Sequence, residues 1–257
     1  MELNRSFSGG RGFFDQDSIK HLLAQEEFDC VVSTAWTTSH STYRESKINF
    51  EYQSATVNLA REAKCSNVGV FVALGSSAEY GSYNLQANCL DSELRANDSY
   101  STSKIDTFNT LSHLFRDSNT RFIWPRIFQP FGSGQDPKRF IPYLISSFIN
   151  NRTPDIANPS HIYDWVNVSD VAKAIIFSIT NSVNGAVDVG TSIGTSNKDL
   201  ARIVFQAVAS TATLPNFSSE EGVQGLVMST KSVLLSSGWK PDVDLVSGVR
   251  ELVAQSI

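Results

Sequence analysis

The run Val68-Gly-Val-Phe-Val-Ala-Leu74 carries no polar side chain on either of its faces. A strand with one wet face alternates apolar and polar residues, whereas a run that is apolar throughout needs cover on both sides, as in a parallel sheet layered between helices. The run stops at Gly75-Ser-Ser77, and Tyr100-Ser-Thr-Ser-Lys104 follows on a stretch with helical spacing. A four-residue interval puts the phenol and the ammonium on one helix face. A lysine so placed can lower the phenol's pKa toward neutral, and a serine hydroxyl at the strand's carboxyl end can bond the same substrate oxygen.

The Tyr-x-x-x-Lys interval alone is weak, and the chain holds a second copy, Tyr43 to Lys47. Ser76 and Ser77, at the end of the apolar run, stand 24 and 23 residues before Tyr100, so context favours the Tyr100 pair.

The rest of the chain alternates in the same manner. Asp17 or Ser18 is expected to cap a helix through Ile19–Ala24, and Phe28–Ala35 reads as a short buried strand. A polar loop leads to a helix over 49–64, then to the strand 68–74, a loop over 81–98 and the Tyr100 helix. Arg121–Arg126 is a strand running into a turn-rich loop, with a helix over 139–150 and a short strand at 165–168 beyond it. Asp170 heads a helix to Thr180, residues 185–190 form a strand, and Thr195 or Ser196 caps a helix over 198–210. Gly238-Trp-Lys-Pro241 is a helix stop, and a last helix spans 245–254. Strands alternating with helices of this length define an α/β fold: a mostly parallel, Rossmann-like sheet with helices on both faces and a small C-terminal substrate lobe.

With 41% apolar and 18% charged residues, the 257-residue chain is able to bury a substantial core. A net charge of -5, a pI near 5.4 and no basic cluster argue against nucleic acid or an anionic membrane surface as partner. Cys30, Cys65 and Cys89 have no metal or disulfide spacing, His21, His40, His113 and His161 are scattered, and no metal is expected. The start, MELNRSFSGG, has no signal-peptide core and no apolar run is long enough to span a bilayer, so the expected location is cytoplasmic.

Taken in order, these landmarks resemble the extended short-chain dehydrogenase/reductases, and more narrowly the NAD-dependent epimerase/dehydratase family that acts on nucleotide sugars. The resemblance rests on Phe28–Trp36, Asn49, Ser76/Ser77 with Tyr100 and Lys104, Arg126–Gly132, Tyr163–Asp170 and Gly238–Pro241. It implies a Rossmann-like core over 1–182, with 133–165 contributing to the substrate cleft, and a substrate-binding lobe over 183–257. It implies Tyr100 as acid/base, Lys104 lowering its pKa and holding the nicotinamide ribose, and Ser76, then Ser77, as polarising hydroxyl. Cofactor contacts are expected from Ala35, Trp36, Lys104, Arg126 and Phe128. Substrate contacts are expected from Gln129, Arg139, Phe140 and Tyr163.

The acid pair that dehydratases place after the triad hydroxyl is replaced by Ser77 and Ala78, and no second base for epimerisation is apparent. The resemblance therefore points to 4-keto-sugar reduction with NAD or NADP, on a nucleotide-linked sugar, in a chain that could pair as a homodimer through helices like 49–64 and 100–115. Two departures stand out. Tyr163 occupies the place of a family arginine. The glycines of Ser8-Gly-Gly-Arg-Gly-Phe-Phe-Asp15 fit either a phosphate-binding turn or the run-up to a later helix. The second register is adopted, because Glu2–Phe7 is too polar for a buried first strand; it leaves out about the first fifty residues of the ordinary dinucleotide fold. Cofactor binding is in doubt on that register, and the competing expectation is a cofactor-poor remnant or truncated frame serving as a binding or structural protein.

Overall fold

The computed structural model describes residues 12–37, 42–81, 92–215, 217 and 224–256. Gly9, Gly10, His40, Cys89 and most of the expected loop over 81–98 lie outside the described residues. The chain forms two compact units. The first takes in residues up to Gly81, Glu93–Arg126 and Ser178–Val187; the second holds Ile127–Phe177 and the chain from Asp188 onward.

The first unit opens with helix α1 (Gln16–Gln25), whose cap is Asp15 rather than Asp17 or Ser18. The Asp15 carboxylate accepts from the backbone N–H of Asp17 at 3.1 Å and of Ser18 at 3.4 Å, and so satisfies donors the first turn leaves open. Ile19, Leu22 and Leu23 line the buried side of the helix, at the spacing of one helical face. Strand β1 (Cys30–Ser33) then runs parallel to β2 (Val70–Ala73), with Cys30 opposite Val70. Between them lies α2 (Ile48–Cys65).

Strand β2 pairs in parallel with β4 (Arg121–Ile127), and the sheet order is β1-β2-β4-β3, where β3 is the two-residue Gly75–Ser76 and β7 (Gly185–Val189) pairs β4. Helix α3 (Ser99–Phe115) connects the β3 region to β4. The core joins Phe71, Leu111, Phe115, Phe122 and Trp124, with Phe115 stacked between Phe71 at 5.4 Å and Phe122 at 5.5 Å. Arg121 donates to the carbonyls of Ser178, Ile179 and Val183, which takes up acceptors at the end of helix α5 (Val168–Thr180).

In the second unit β5 (Gln129–Phe131) runs parallel to β6 (Ile162–Asn167). Strand β6 also pairs with β8 (Gly194–Ser196), antiparallel, and β9 (Gly225–Leu226), parallel. Helices α4 (Phe140–Ile149), α6 (Asn197–Val208) and α8 (Leu245–Ala254) share a core of Leu144, Phe148, Leu200, Val204 and Val249. The short α7 (Val233–Ser236) ends at Gly238, whose φ of 98° lets the Gly238 and Trp239 N–H groups turn back to Leu235 and Leu234.

Asp164 is a fully buried member of β6. Its carboxylate accepts from the N–H and hydroxyl of Thr191 and from the N–H groups of Ser192 and Met228. Burial pushes its pKa up, against those hydrogen bonds. Asp170 does not head α5; it lies in the first turn, buried, and accepts from Val243 N at 3.0 Å.

Candidate active site

The site grows from the turn after β2. Ser76 caps a short 3-10 turn, Ser77–Tyr80, in a capping box: its hydroxyl accepts from Ala78 N, and its own N–H donates to Glu79 Oε1 at 2.8 Å. Glycine is required at position 75, because a Cβ there would run into the Trp124 indole nitrogen and come within 2.7 Å of Glu79 Oε1.

Glu79 does not face the cleft. It is fully buried, accepts from Trp124 Nε1 at 3.0 Å, and pairs with Arg126 Nε at 2.7 Å. Arg126 is 3% exposed, with its guanidinium 4.8 Å from the Phe108 ring and 5.3 Å from that of Tyr80. The arginine expected among the cofactor contacts is thus committed to an interior ion pair.

Asp98 starts α3 by accepting from Ser101 N at 2.7 Å, and Tyr100 sits in the first turn. Burial pushes the Tyr100 phenol's pKa well above the ordinary tyrosine value. Ser76, the hydroxyl preferred from sequence, draws it down and offsets only part of that rise. Lys104, one turn on, is buried. Its Nζ donates to Leu74 O at 2.7 Å and stands 3.5 Å over the Trp36 ring, but 5.8 Å from the Tyr100 ring. Burial lowers the ammonium's pKa to about 7, while the Glu79 carboxylate pulls it back up. The lysine therefore shares the helix face with Tyr100 as the spacing requires, and its charge is engaged by the strand end and the indole.

Trp36 is held in turn by Asn49, whose side-chain oxygen accepts from the indole Nε1 at 2.9 Å and whose amide donates to Tyr43 O and Ser46 O. Asn49 is fully buried. Tyr43, set aside on sequence grounds, packs edge-to-face on Tyr100 with ring centroids 5.0 Å apart. A shallow cleft at the carboxyl ends of β1 and β2 is lined by Ser33, Ala35, Trp36, Leu74, Lys104 and Trp124.

Ser76, Tyr100, Lys104, Ala35 and Trp36 are thus gathered in the first unit, and Ser77 opens the turn beside Ser76. Phe128, Gln129, Arg139, Phe140 and Tyr163 belong to the second unit. Phe128 is buried, with its N–H on Val189 O; Gln129 is exposed on β5; Arg139 immediately precedes α4. Phe140 stacks on Trp165 at 6.3 Å, and Tyr163 meets the same indole edge-on at 6.1 Å. Among the described residues no cluster of metal-binding side chains is present, and no helix is long and apolar enough to cross a membrane.

Sequence reading missed Glu79 and Tyr43. A signal for Glu79 was available, since Ser76-Ser-Ala-Glu79 has the S-x-x-E form of a capping box. Nothing local announces Tyr43, whose contact with Tyr100 is made across a long stretch of chain.

A parallel α/β sheet with a serine at a strand end, and a tyrosine on the following helix that has a lysine one turn further on, defines the short-chain dehydrogenase/reductase class in its extended form. Within that class the family model for the NAD dependent epimerase/dehydratase family matches residues 12–190, and the chain belongs to that family. It is 31% identical over 128 residues to a Methanocaldococcus jannaschii protein named as a UDP-glucose 4-epimerase, covering 48% of this chain and 41% of the relative. To an Escherichia coli dTDP-4-dehydro-6-deoxyglucose reductase it is 27% identical over 164 residues, 60% of this chain and 51% of the relative. The chain spans about half the length of the curated relatives it matches. Among solved structures, RMD from Pseudomonas aeruginosa complexed with NADPH superposes with a TM-score of 0.84 at 15% identity, over 99% of this chain and 88% of that one.

Proposed function

We propose that the chain reduces a 4-keto group on a nucleotide-linked sugar with NAD(P)H, Tyr100 supplying the proton. The observation that carries this reading is the placement of Tyr100 in the first turn of α3, one turn before buried Lys104, with the turn that Ser76 caps at the end of the neighbouring strand; burial pushes the phenol's pKa up and favours its acid form. A phenol kept in its acid form is suited to giving a proton to an oxygen that gains negative charge, the demand made by a carbonyl being reduced. The similarity to a dTDP-4-dehydro-sugar reductase supports the same direction.

The cleft lined by Ala35, Trp36 and Lys104 offers a donor of the kind that the ribose end of a nicotinamide dinucleotide accepts from. The Lys104 ammonium has three N–H groups, of which Leu74 O takes one. Tyr100 and Lys104 would hold that ribose, with Ala35 and Trp36 as the wall, and the bound nicotinamide would supply the hydride. Ser76 orients the substrate oxygen and Tyr100 delivers the proton to it. Gln129, Arg139, Phe140 and Tyr163 are assigned to the nucleotide sugar. Arg126 is assigned a supporting place through Glu79 and Phe128 a packing one, neither touching the cofactor.

A competing reading, a binding or structural protein with little affinity for cofactor, is favoured by the Trp36 indole lying over the Lys104 ammonium. One experiment separates the two. The purified chain is titrated with NADPH and NADH by fluorescence and then given dTDP-4-dehydro-6-deoxyglucose as the probe, with absorbance at 340 nm followed. The reductase reading expects saturable binding, oxidation of the cofactor, and a loss of about 100-fold or more in turnover for Tyr100→Phe with binding retained. Absence of saturable binding at millimolar cofactor establishes the competing reading, and unchanged turnover in Tyr100→Phe overturns the assignment of the acid.

A further inference from the structure

Lys104 is held from two sides. Its Nζ donates to Leu74 O at 2.7 Å, just past the end of β2, and stands 3.5 Å from the centroid of the Trp36 ring, well within cation–π reach. Both side chains are buried, Lys104 at 3% exposure and Trp36 at 6%. The indole is itself locked. Its Nε1 donates to Asn49 Oδ1 at 2.9 Å, and its ring stacks on buried Tyr52 at 5.9 Å. Asn49 is fully buried and donates both amide N–H bonds, to the Tyr43 and Ser46 carbonyls. The loop that carries those carbonyls is fastened to α3 in turn. Tyr100 N donates to Arg44 O at 2.9 Å, and Arg44 Nη1 pairs with Asp98 Oδ2, the carboxylate that caps α3, at 2.7 Å. Trp36 and Lys104 thus belong to one connected frame, and both line the cleft at the carboxyl ends of β1 and β2.

We infer that Trp36 is a positioning residue for Lys104: its indole face, locked by Asn49, pins the ammonium against Leu74 O in the cleft. The inference rests on Lys104 being the ribose ligand proposed above. A lysine carries its charge on a flexible four-carbon stem, so one hydrogen bond leaves the ammonium able to swivel, and a second contact fixes where its remaining N–H bonds point. An aromatic face supplies that contact through its quadrupole, attracting the ammonium as a whole. The same attraction favours the charged amine in a place where burial disfavours it. The charged and titratable groups around the amine are Glu79 from the 3-10 turn, itself paired with Arg126 of β4, and Tyr100 one turn back on α3. The other residues that line the cleft, from β1 and the loop after it, α2, β2 and β4, carry no charge.

The test installs tryptophans bearing one, two and four ring fluorines at position 36, which drain the negative face of the ring while keeping its shape and its N–H. The Lys104 amine is titrated by 13C NMR on the cofactor-free protein labelled at the lysine ε-carbons, its signal assigned through Lys104→Met. Its midpoint, about 7 in the native chain, is expected to fall step by step along the series, by about half a pH unit or more at the end. A midpoint that is unmoved or raised overturns the inference. Should the protein with four fluorines fail to fold by circular dichroism, those with one and two decide the matter alone. None of these readouts needs cofactor. A falling midpoint in a chain that binds no NADPH leaves Trp36 positioning Lys104 while the reductase reading falls. In an active chain Trp36→Leu should raise KM for NADPH about tenfold with a smaller change in kcat, and Trp36→Phe, which keeps an aromatic face, should recover part of that loss. A KM lowered by Trp36→Leu would show the indole obstructing the amine rather than positioning it, and overturns the inference too.

Discussion

Lys104 shows how one side chain can be legible in kind and not in state. Its place on the Tyr100 face follows from the four-residue spacing, which any helix converts into proximity. That its ammonium is spent on Leu74 O and the Trp36 ring depends on a strand end and a loop far away in sequence, so no local pattern carried it. Glu79 was hidden for a related reason: an acid in a polar stretch ordinarily reads as surface, and only its partners Trp124 and Arg126 make it interior. The burial of Lys104 has a measurable consequence. Its folded pKa, about 7, lies below the value in the unfolded chain, so between these two values the unfolded state binds more protons. Stability from this group therefore rises as pH increases from about 7 toward about 10.5, and the cost of burying the charge is full below that window. Lys104→Met is expected to remove that rise. Urea midpoints for the two proteins across the window should converge at its upper end, with the variant ahead at the lower end; parallel curves would contradict the depressed pKa.

At the scale of elements, the long helices were readable because their apolar residues repeat at helical intervals over several turns, and α2, α3, α6 and α8 fall close to the expected bounds. The strands β5, β8 and β9 have two or three residues each, too few for an alternation to register, and they exist because β6 offers them a partner edge. The cap of α1 was misplaced by two or three residues because three candidate polar side chains stand close together and only the backbone geometry selects Asp15. Asp98 does two jobs at the head of α3, and they can be separated. Asp98→Ala removes both cap and ion pair and should cost about 1–2 kcal/mol in urea unfolding. Asp98→Asn keeps a capping oxygen and loses only the charge on half-exposed Arg44, so it should cost under about 1 kcal/mol. Equal costs would mean that the ion pair, not the cap, starts the helix.

At the scale of the molecule, the parallel α/β architecture was legible because apolar runs covered on both faces admit few arrangements. Each unit is assembled from stretches separated in sequence, and the chain offers no linker composition at the crossings. Among the described residues β1 is paired only with β2, and Val32 in that strand is 42% exposed. Such an edge invites pairing with other chains. Val32→Lys is expected to lower concentration-dependent association in light scattering without shifting the unfolding midpoint by more than about 0.5 kcal/mol; association unaffected by the lysine would place the sticky surface elsewhere. The carbonyls that receive Arg121 have a bearing on how the chain is made. Ser178, Ile179 and Val183 leave the ribosome after β4 and after the 127–177 stretch of the second unit, and so does β7, the strand that pairs β4. During synthesis β4 therefore waits for β7 with its guanidinium unmatched, and the first unit cannot close before the 127–177 stretch of the second has been translated. That interval is when a nascent chain of this kind is most exposed to aggregation.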